Sequence, residues 1–219
     1  MSLKPARMGI FRVFLYALPI AFAAQIIFLD ASRSVDTYKF TEASYTEWMQ
    51  AVCLLLTSLL FLWTGWLESN RRAFAFLMSG GALMAAIREF DWWFDAIYHG
   101  AWLPFAMVVL LIVLWGIFKN RSQFAVNLDE FFKTRASGAF LTGFLTVFVF
   151  SRLFGRKIVW RALFEVEKLE PLQRGVKNAS EEGVELLGYV LLLISGVEYW
   201  IYVNRVRKQR LGANRSKEA

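Results

Sequence analysis

Repeated apolar stretches constrain the fold of this chain more than any other feature. Six of them approach the roughly 20 residues that a helix needs to cross the hydrocarbon core of a bilayer; they are residues 10–29, 46–66, 72–91, 101–118, 137–153 and 183–203. A soluble domain would not carry so many such stretches, and 57% of the residues are hydrophobic. The sequence therefore predicts a single all-α domain over residues 1–219, a polytopic integral membrane protein with about six transmembrane helices.

Basic residues are distributed unevenly between the predicted loops. If the N-terminus is cytoplasmic, that side carries 15 of the 25 basic residues but only 4 of the 18 acidic ones. This asymmetry follows the positive-inside rule, so both termini are predicted to be cytoplasmic, in a bacterial inner membrane. The net charge of +7 is then explained by the loops and by a basic tail over residues 204–219. We expect this tail to contact anionic lipids, and we expect no nucleic-acid partner.

A charged and aromatic segment closes the third apolar stretch. Residues 72–99 contain no proline and no glycine except the Gly80-Gly81 pair, and Gly100 is a plausible C-cap. A continuous helix over these residues would be about 42 Å long at about 1.5 Å per residue, longer than the hydrocarbon core of about 30 Å. Its end is therefore expected at the outer interface.

Acidic side chains from three distant parts of the chain are predicted to reach this outer face. Helical spacing places Asp91, Asp95 and His99 on one stripe. Glu47 opens the second span, and Glu182 and Glu185 open the last one. These six residues are candidate ligands of a divalent cation, because clustered carboxylates need compensation to stay ionised.

Basic residues offer a second form of compensation. Four basic residues come from the end of the fifth span and from the outer segment after it and could pair with the acids or bind a lipid phosphate: Arg152, Arg156, Lys157 and Arg161. A third interpretation gives the acids no special role, since solvated and salt-bridged charges are common at the membrane boundary. A fourth makes them the outer gate of a proton or ion path. Glu198 could be a second proton-binding residue of such a path. It could equally extend its carboxylate to the inner membrane interface, which is the favoured interpretation.

The absence of several sequence motifs excludes certain kinds of cofactor and catalytic site. One histidine excludes bis-histidine haem and three-histidine zinc sites, and no P-loop, GxSxG or HExxH pattern is present. We therefore expect neither haem nor nucleotide as cofactor. The only cysteine, Cys53, excludes an internal disulfide. Residues 154–182 contain apolar and basic side chains that predict a helix lying on the outer membrane surface.

Three short motifs resemble a poorly characterised group of bacterial multi-spanning membrane proteins. They are Tyr45-Thr46-Glu47-Trp48, Arg88-Glu89-Phe90-Asp91-Trp92 and Glu181-Glu182-Gly183-Val184-Glu185-Leu186-Leu187-Gly188. In that group a glutamate opens one span, an acidic pair with a tryptophan closes the next, and Glu-Glu-x-x-Glu opens the last. This chain has Glu-Phe-Asp instead of the adjacent acidic pair. The resemblance implies the three-part cluster and no particular activity.

Three functions are compatible with these residues. The first is a periplasm-facing carboxylate–histidine site that binds a divalent cation and acts on a lipid or a small amphipathic substrate. The second is a proton- or ion-coupled transporter. The third is a non-catalytic subunit or assembly factor that binds a protein partner or a second copy of the chain. Whether the protein is an enzyme stays open at this point.

Overall fold

A computed structural model describes residues 4–32, 40 and 44–218, the side chains of 4–8 and 214–218 excepted. This part of the chain folds into α-helices without any strand: α1 Lys4–Ser32, α2 Tyr45–Leu67, α3 Arg72–Glu89, α4 Asp91–Asp95, α5 Trp102–Lys119, α6 Arg121–Phe132, α7 Arg135–Leu145, α8 Ser151–Gly155, α9 Lys157–Phe164 and α10 Pro171–Glu218. A short 3-10 turn, Ser69–Arg71, precedes α3, and a π-helical segment, Thr146–Phe150, joins α7 to α8. The all-α prediction is confirmed.

Five stretches of the described helices are long and apolar enough to cross a membrane. They are Gly9–Ser32, Tyr45–Leu67, Trp102–Lys119, Arg135–Gly155 and Pro171–Ala213. These five correspond to predicted spans one, two, four, five and six. The third predicted span, 72–91, is helical as α3 but is not among the five, because its 18 residues include three charged side chains and two glycines.

The prediction of one continuous helix over 72–99 is wrong. Helix α3 ends at Glu89, Phe90 leaves the helical conformation with φ −95° and ψ 18°, and α4 ends at Asp95. The Asp95 carboxylate then accepts a hydrogen bond from the backbone N–H of Gly100, which has φ 83°. Aspartate side chains compete with the helix for backbone donors in this way. The i, i+4, i+8 stripe therefore does not exist as a single helical face.

The predicted outer segment 154–182 contains the helix α9 and the beginning of α10. Helix α9 spans only Lys157–Phe164 and ends at Glu165, which adopts the left-handed conformation with φ 55°. Proline is favoured in the first turn of a helix because it lacks the N–H that would stay unpaired there, and α10 begins at Pro171. The Gln173 side chain accepts a hydrogen bond from the N–H of Glu170, as in a capping box. Residues 171–182 therefore belong to the longest helix.

The chain divides into two compact units, which are described separately. The first unit comprises Met1–Gln50 and Gly143–Val190, and the second comprises Ala51–Thr142 and Leu191–Ala219. In the first unit, the buried Asp30 at the end of α1 accepts hydrogen bonds from the N–H groups of Tyr45 and Thr46. A carboxylate at a helix N-terminus satisfies orphan donors and complements the helix dipole. The predicted outer loop 30–45 lies largely outside the described residues.

Aromatic side chains form the core of the second unit. Phe61, Phe74, Phe131 and Tyr199 are almost fully buried and contact one another, with ring centroids 4.9–6.4 Å apart. Helix α3 approaches α5 closely at Gly80, where an added Cβ would lie 2.2 Å from Cγ2 of Val113. Small residues permit such close helix packing in membrane proteins. Gly80 therefore permits the close packing of α3 against α5, whereas no atom lies within 4 Å of a Cβ added at Gly81.

Candidate functional site

The predicted site residues fall in both units. Glu47, Glu182 and Glu185 lie in the first unit, as do Arg152, Arg156, Lys157 and Arg161. Asp91, Asp95, His99 and Glu198 lie in the second unit.

Glu185 is the most buried of the predicted site acids in the first unit. It is buried on α10, and its carboxylate accepts hydrogen bonds from the Ser151 hydroxyl at 3.1 Å and from the Arg152 guanidinium. Ser151 and Arg152 open α8, directly after the π-helical segment. Such π-helical segments are rare and frequently occur at functional sites. The Arg152–Glu185 ion pair is the internal compensation that the sequence offered as one of two possibilities.

The other acids of the first unit contact further elements. The Gln50 side chain donates to the backbone oxygen of Glu182 at 3.0 Å, which joins α2 to α10. Lys177 pairs with Glu181 one turn along α10 at 2.6 Å. Glu47 and Glu182 are half-buried. Polar contacts thus repeat along the first turns of α10.

Asp95 and His99 meet in the second unit although they are not on one helix. The Nδ1 atom of His99 lies 2.8 Å from Oδ2 of Asp95, and both side chains are exposed to some degree. The hydrogen bond from Gly100, together with His99, holds the pKa of the Asp95 carboxyl below its usual value. Asp91 is exposed, whereas Glu198 is buried with 7% of its surface accessible. Asp95 therefore terminates a turn rather than completing a helical stripe.

The lowered pKa of Asp95 predicts an acid transition at this turn. A carboxyl with a lowered folded-state pKa contributes stability above its unfolded pKa of about 4, and that contribution is lost as the pH falls through the folded value. We expect the fluorescence of the neighbouring Trp92 and Trp93 to change in this acid range in the wild type but not in Asp95→Ala. A wild-type transition near pH ~6.5, the ordinary range of histidine, would contradict this assignment.

The divalent-cation site stays a prediction. Across residues 4–32, 40 and 44–218, no group of three or more His, Cys, Asp and Glu side chains is placed to bind a metal ion. The predicted phosphate site also stays a prediction. Arg156, Lys157 and Arg161 are exposed around α9, whose Trp160 is buried and donates to the backbone oxygen of Phe154 at 2.6 Å. Arg152 is engaged by Glu185.

Sequence reasoning missed a buried polar network in the second unit. Arg71 is 1% exposed, and its guanidinium donates to Glu130 at 2.7 Å and to the Tyr199 hydroxyl at 3.2 Å. The Tyr202 hydroxyl donates to the same Glu130 oxygen at 2.6 Å. Burial opposes ionisation of Glu130, but the hydrogen bonds from Arg71 and Tyr202 hold its pKa below the usual value. Glu130 is one of only four acids on the predicted cytoplasmic side, and this scarcity is the one indication in the sequence that it could pair with a basic residue.

A groove lined by tryptophans is the second feature that sequence reasoning missed. Its volume is about 1090 Å³, and it lies between α2, α3 and α5. We call it the tryptophan groove; its lining residues are Leu59, Leu62, Trp63, Gly65, Trp66, Ser69, Arg72, Ala73, Phe76, Trp115, Gly116, Lys119 and Asn120. The Trp63 and Trp66 rings lie 5.3 Å apart, centroid to centroid.

The polar lining residues are confined to helix ends. Ser69 lies in the turn after α2, Arg72 begins α3, and Lys119 ends α5, followed by Asn120. The remaining lining residues are apolar, aromatic or small. The groove is therefore amphipathic along its length. The available signal in the sequence is the position of Trp63, Trp66 and Trp115 near the ends of two predicted spans, which is equally typical of a membrane interface.

Comparisons with known proteins do not identify the chain. No protein-family model, no curated protein and no solved structure matches it. The resemblance to bacterial multi-spanning proteins therefore stays an expectation, and the site must be interpreted from its own chemistry.

Proposed function

We propose that this protein is a membrane protein that binds a lipid in the tryptophan groove. The observation that carries this proposal is the groove itself, with a long apolar and aromatic lining and polar groups only at helix ends. Ligand sites are typically concave, mostly apolar cavities of about 300–1,000 Å³ with a few polar groups that orient the ligand. A volume of about 1090 Å³ lies just above this range, as expected for a ligand with acyl chains.

Exposure of the lining residues supports a lipid rather than a soluble ligand. Trp66 and Trp115 are 70% and 65% exposed, and Trp63 is 50% exposed. All three lie on helices that are long and apolar enough to cross a membrane, or directly at the end of one. Such side chains would face acyl chains, and the indole rings favour the boundary between hydrocarbon and headgroups. A phospholipid combines apolar acyl chains with a polar headgroup, and the groove likewise combines an apolar lining with polar residues at the helix ends.

The proposal retains part of the function expected from the sequence. An inner membrane with cytoplasmic termini would place the polar end of the groove at the cytoplasmic leaflet, because Arg72 and Lys119 belong to the basic residues of that side. A lipid ligand is also the substrate class expected for the outer carboxylate cluster. Among the described residues, the predicted outer-face acids form no group that could hold a metal ion.

Brominated lipids test the proposal directly, because bromine quenches indole fluorescence at short range. We expect the purified full-length protein to retain about one tightly bound phospholipid, and Trp66→Ala to lose most of it, because the indole of a groove-lining tryptophan supplies much of the apolar contact. Trp93→Ala is the matched control, since Trp93 is 59% exposed but does not line the groove.

The measurement combines phospholipid content after purification with quenching by lipids brominated on the acyl chain. Equal lipid retention in wild type, Trp66→Ala and Trp93→Ala would refute the proposal. Equal losses in both variants would indicate general lipid contact and would refute it as well.

A further inference from the structure

We infer that the tryptophan groove selects phospholipids with an anionic headgroup, and that Arg72 and Lys119 bind the headgroup phosphate. This inference rests on the proposed lipid-binding function and adds the ligand class. The occupant is a phospholipid of the leaflet that faces the polar end of the groove. Free phosphate and soluble phosphate esters would share the headgroup chemistry but would leave the apolar lining unfilled.

The two arginines at the start of α3 differ in their environment. Arg71 is buried and its charge is compensated by Glu130 at 2.7 Å. Arg72 is exposed and lines the groove, and its Nε atom donates only a long hydrogen bond of 3.4 Å to the backbone oxygen of Gly65. That bond orients the guanidinium and consumes one donor. A guanidinium has five N–H donors in a planar fork that matches phosphate oxygens.

Lys119 is the second cation of the groove. Its ammonium group lies 5.1 Å from the ring centroid of Trp115, and both residues line the groove. A cation over an indole face gains about 0.5–1 kcal/mol at exposed sites, so the side chain is directed over the groove rather than away from it. Its three donors remain suited to a phosphate oxygen.

Acidic side chains are missing from the lining of the groove. Two basic residues and no aspartate or glutamate line it, and within the described residues neither Arg72 nor Lys119 forms an ion pair. By contrast, Arg71, Arg152, Lys133 and Lys177 each pair with a carboxylate. The groove therefore combines positive charge with an apolar lining, and an anionic lipid complements both.

Competition between two phospholipids tests the inference. The full-length protein is titrated with phosphatidylglycerol and phosphatidylcholine of identical acyl chains, and bound lipid is counted by native mass spectrometry. Each basic residue near a bilayer surface contributes about a fivefold preference for anionic lipid. We expect the wild type to prefer phosphatidylglycerol and Arg72→Gln/Lys119→Gln to lose that preference. The control Arg121→Gln/Lys133→Gln removes the same charge outside the groove and should keep it.

The outcomes separate this inference from the proposed function. Equal binding of both lipids by the wild type, with retention still dependent on Trp66, would overturn the inference and leave lipid binding intact. Equal loss of preference in the control variant would indicate a general charge effect and would overturn it too. Displacement of the lipid by millimolar glycerol phosphate would point to a soluble phosphate ligand instead. If the double variant fails to fold, Lys119→Gln alone should lose about fivefold, and an unchanged preference would refute the inference.

Discussion

Glu130→Ala is expected to lower the free energy of unfolding by about 3–5 kcal/mol, because it removes the partner of a buried cation. Arg71 is 1% exposed and would keep only its 3.2 Å bond to the Tyr199 hydroxyl. Its Nε atom is already without a hydrogen-bond partner among the described residues. Removal of one member of a buried pair costs more than removal of both, since the remaining charge stays desolvated.

The neighbouring residue provides a matched control. Asp129 pairs with Lys133, and these side chains are 68% and 71% exposed, so Asp129→Ala should change stability by less than about 1 kcal/mol. The double variant Arg71→Met/Glu130→Leu should recover most of the loss, because it removes the buried cation together with its half-buried partner. The free energy of unfolding of the three variants is measured by reversible unfolding in detergent. An Asp129→Ala effect equal to that of Glu130→Ala would contradict the assignment of the network.

Arg152→Ala is the second variant with a large expected effect, about 3 kcal/mol, and it acts in the first unit. The side chain of Glu185 is 8% exposed, and the variant removes the guanidinium that pairs with its carboxylate, whereas the 3.1 Å hydrogen bond from Ser151 remains. A buried carboxylate that loses its cation stays desolvated without a compensating charge, which is costly even where other hydrogen bonds remain. The loss should therefore be larger for Arg152→Ala than for the double variant Arg152→Ala/Glu185→Ala.

Arg156→Ala is the control for this pair. Arg156 is exposed at the start of α9, and its removal should change stability by no more than about 0.5 kcal/mol. Thermal unfolding of the detergent-purified variants gives the comparison. Similar effects of Arg152→Ala and Arg156→Ala would show that the ion pair contributes little.

Some features of the site could be predicted from the sequence because they depend on local spacing. The pairing of an outer-face acid with Arg152 was one of two forms of compensation considered, and the contact between Asp95 and His99 follows from residues only four positions apart. The single helical stripe failed because Asp95 bonds to the N–H of Gly100 instead of continuing the helix. Side-chain competition of this kind depends on conformation at one residue, which hydrophobic periodicity does not report.

The tryptophan groove and the Arg71 network could not be predicted in the same way. Groove residues come from the end of α2, the start of α3 and the end of α5, and Glu130 is 59 positions from Arg71. Tryptophans near a predicted interface indicate a membrane boundary equally well whether or not they enclose a cavity. The residues that line the groove on α3 and on α5 come close together because these two helices pack tightly at Gly80.

The class of this protein, all-helical with several spans, follows from the sequence alone, because apolar length over about 20 residues is a local property summed along the chain. The environment of each charged side chain does not follow from the sequence alone. Arg71 and Arg72 are adjacent and chemically identical, yet one is buried against Glu130 and the other lines the groove. Their directions are determined by the 3-10 turn at Ser69–Arg71 and by partners distant in sequence. Tertiary structure therefore decides which arginine stabilises the fold and which is available to a ligand.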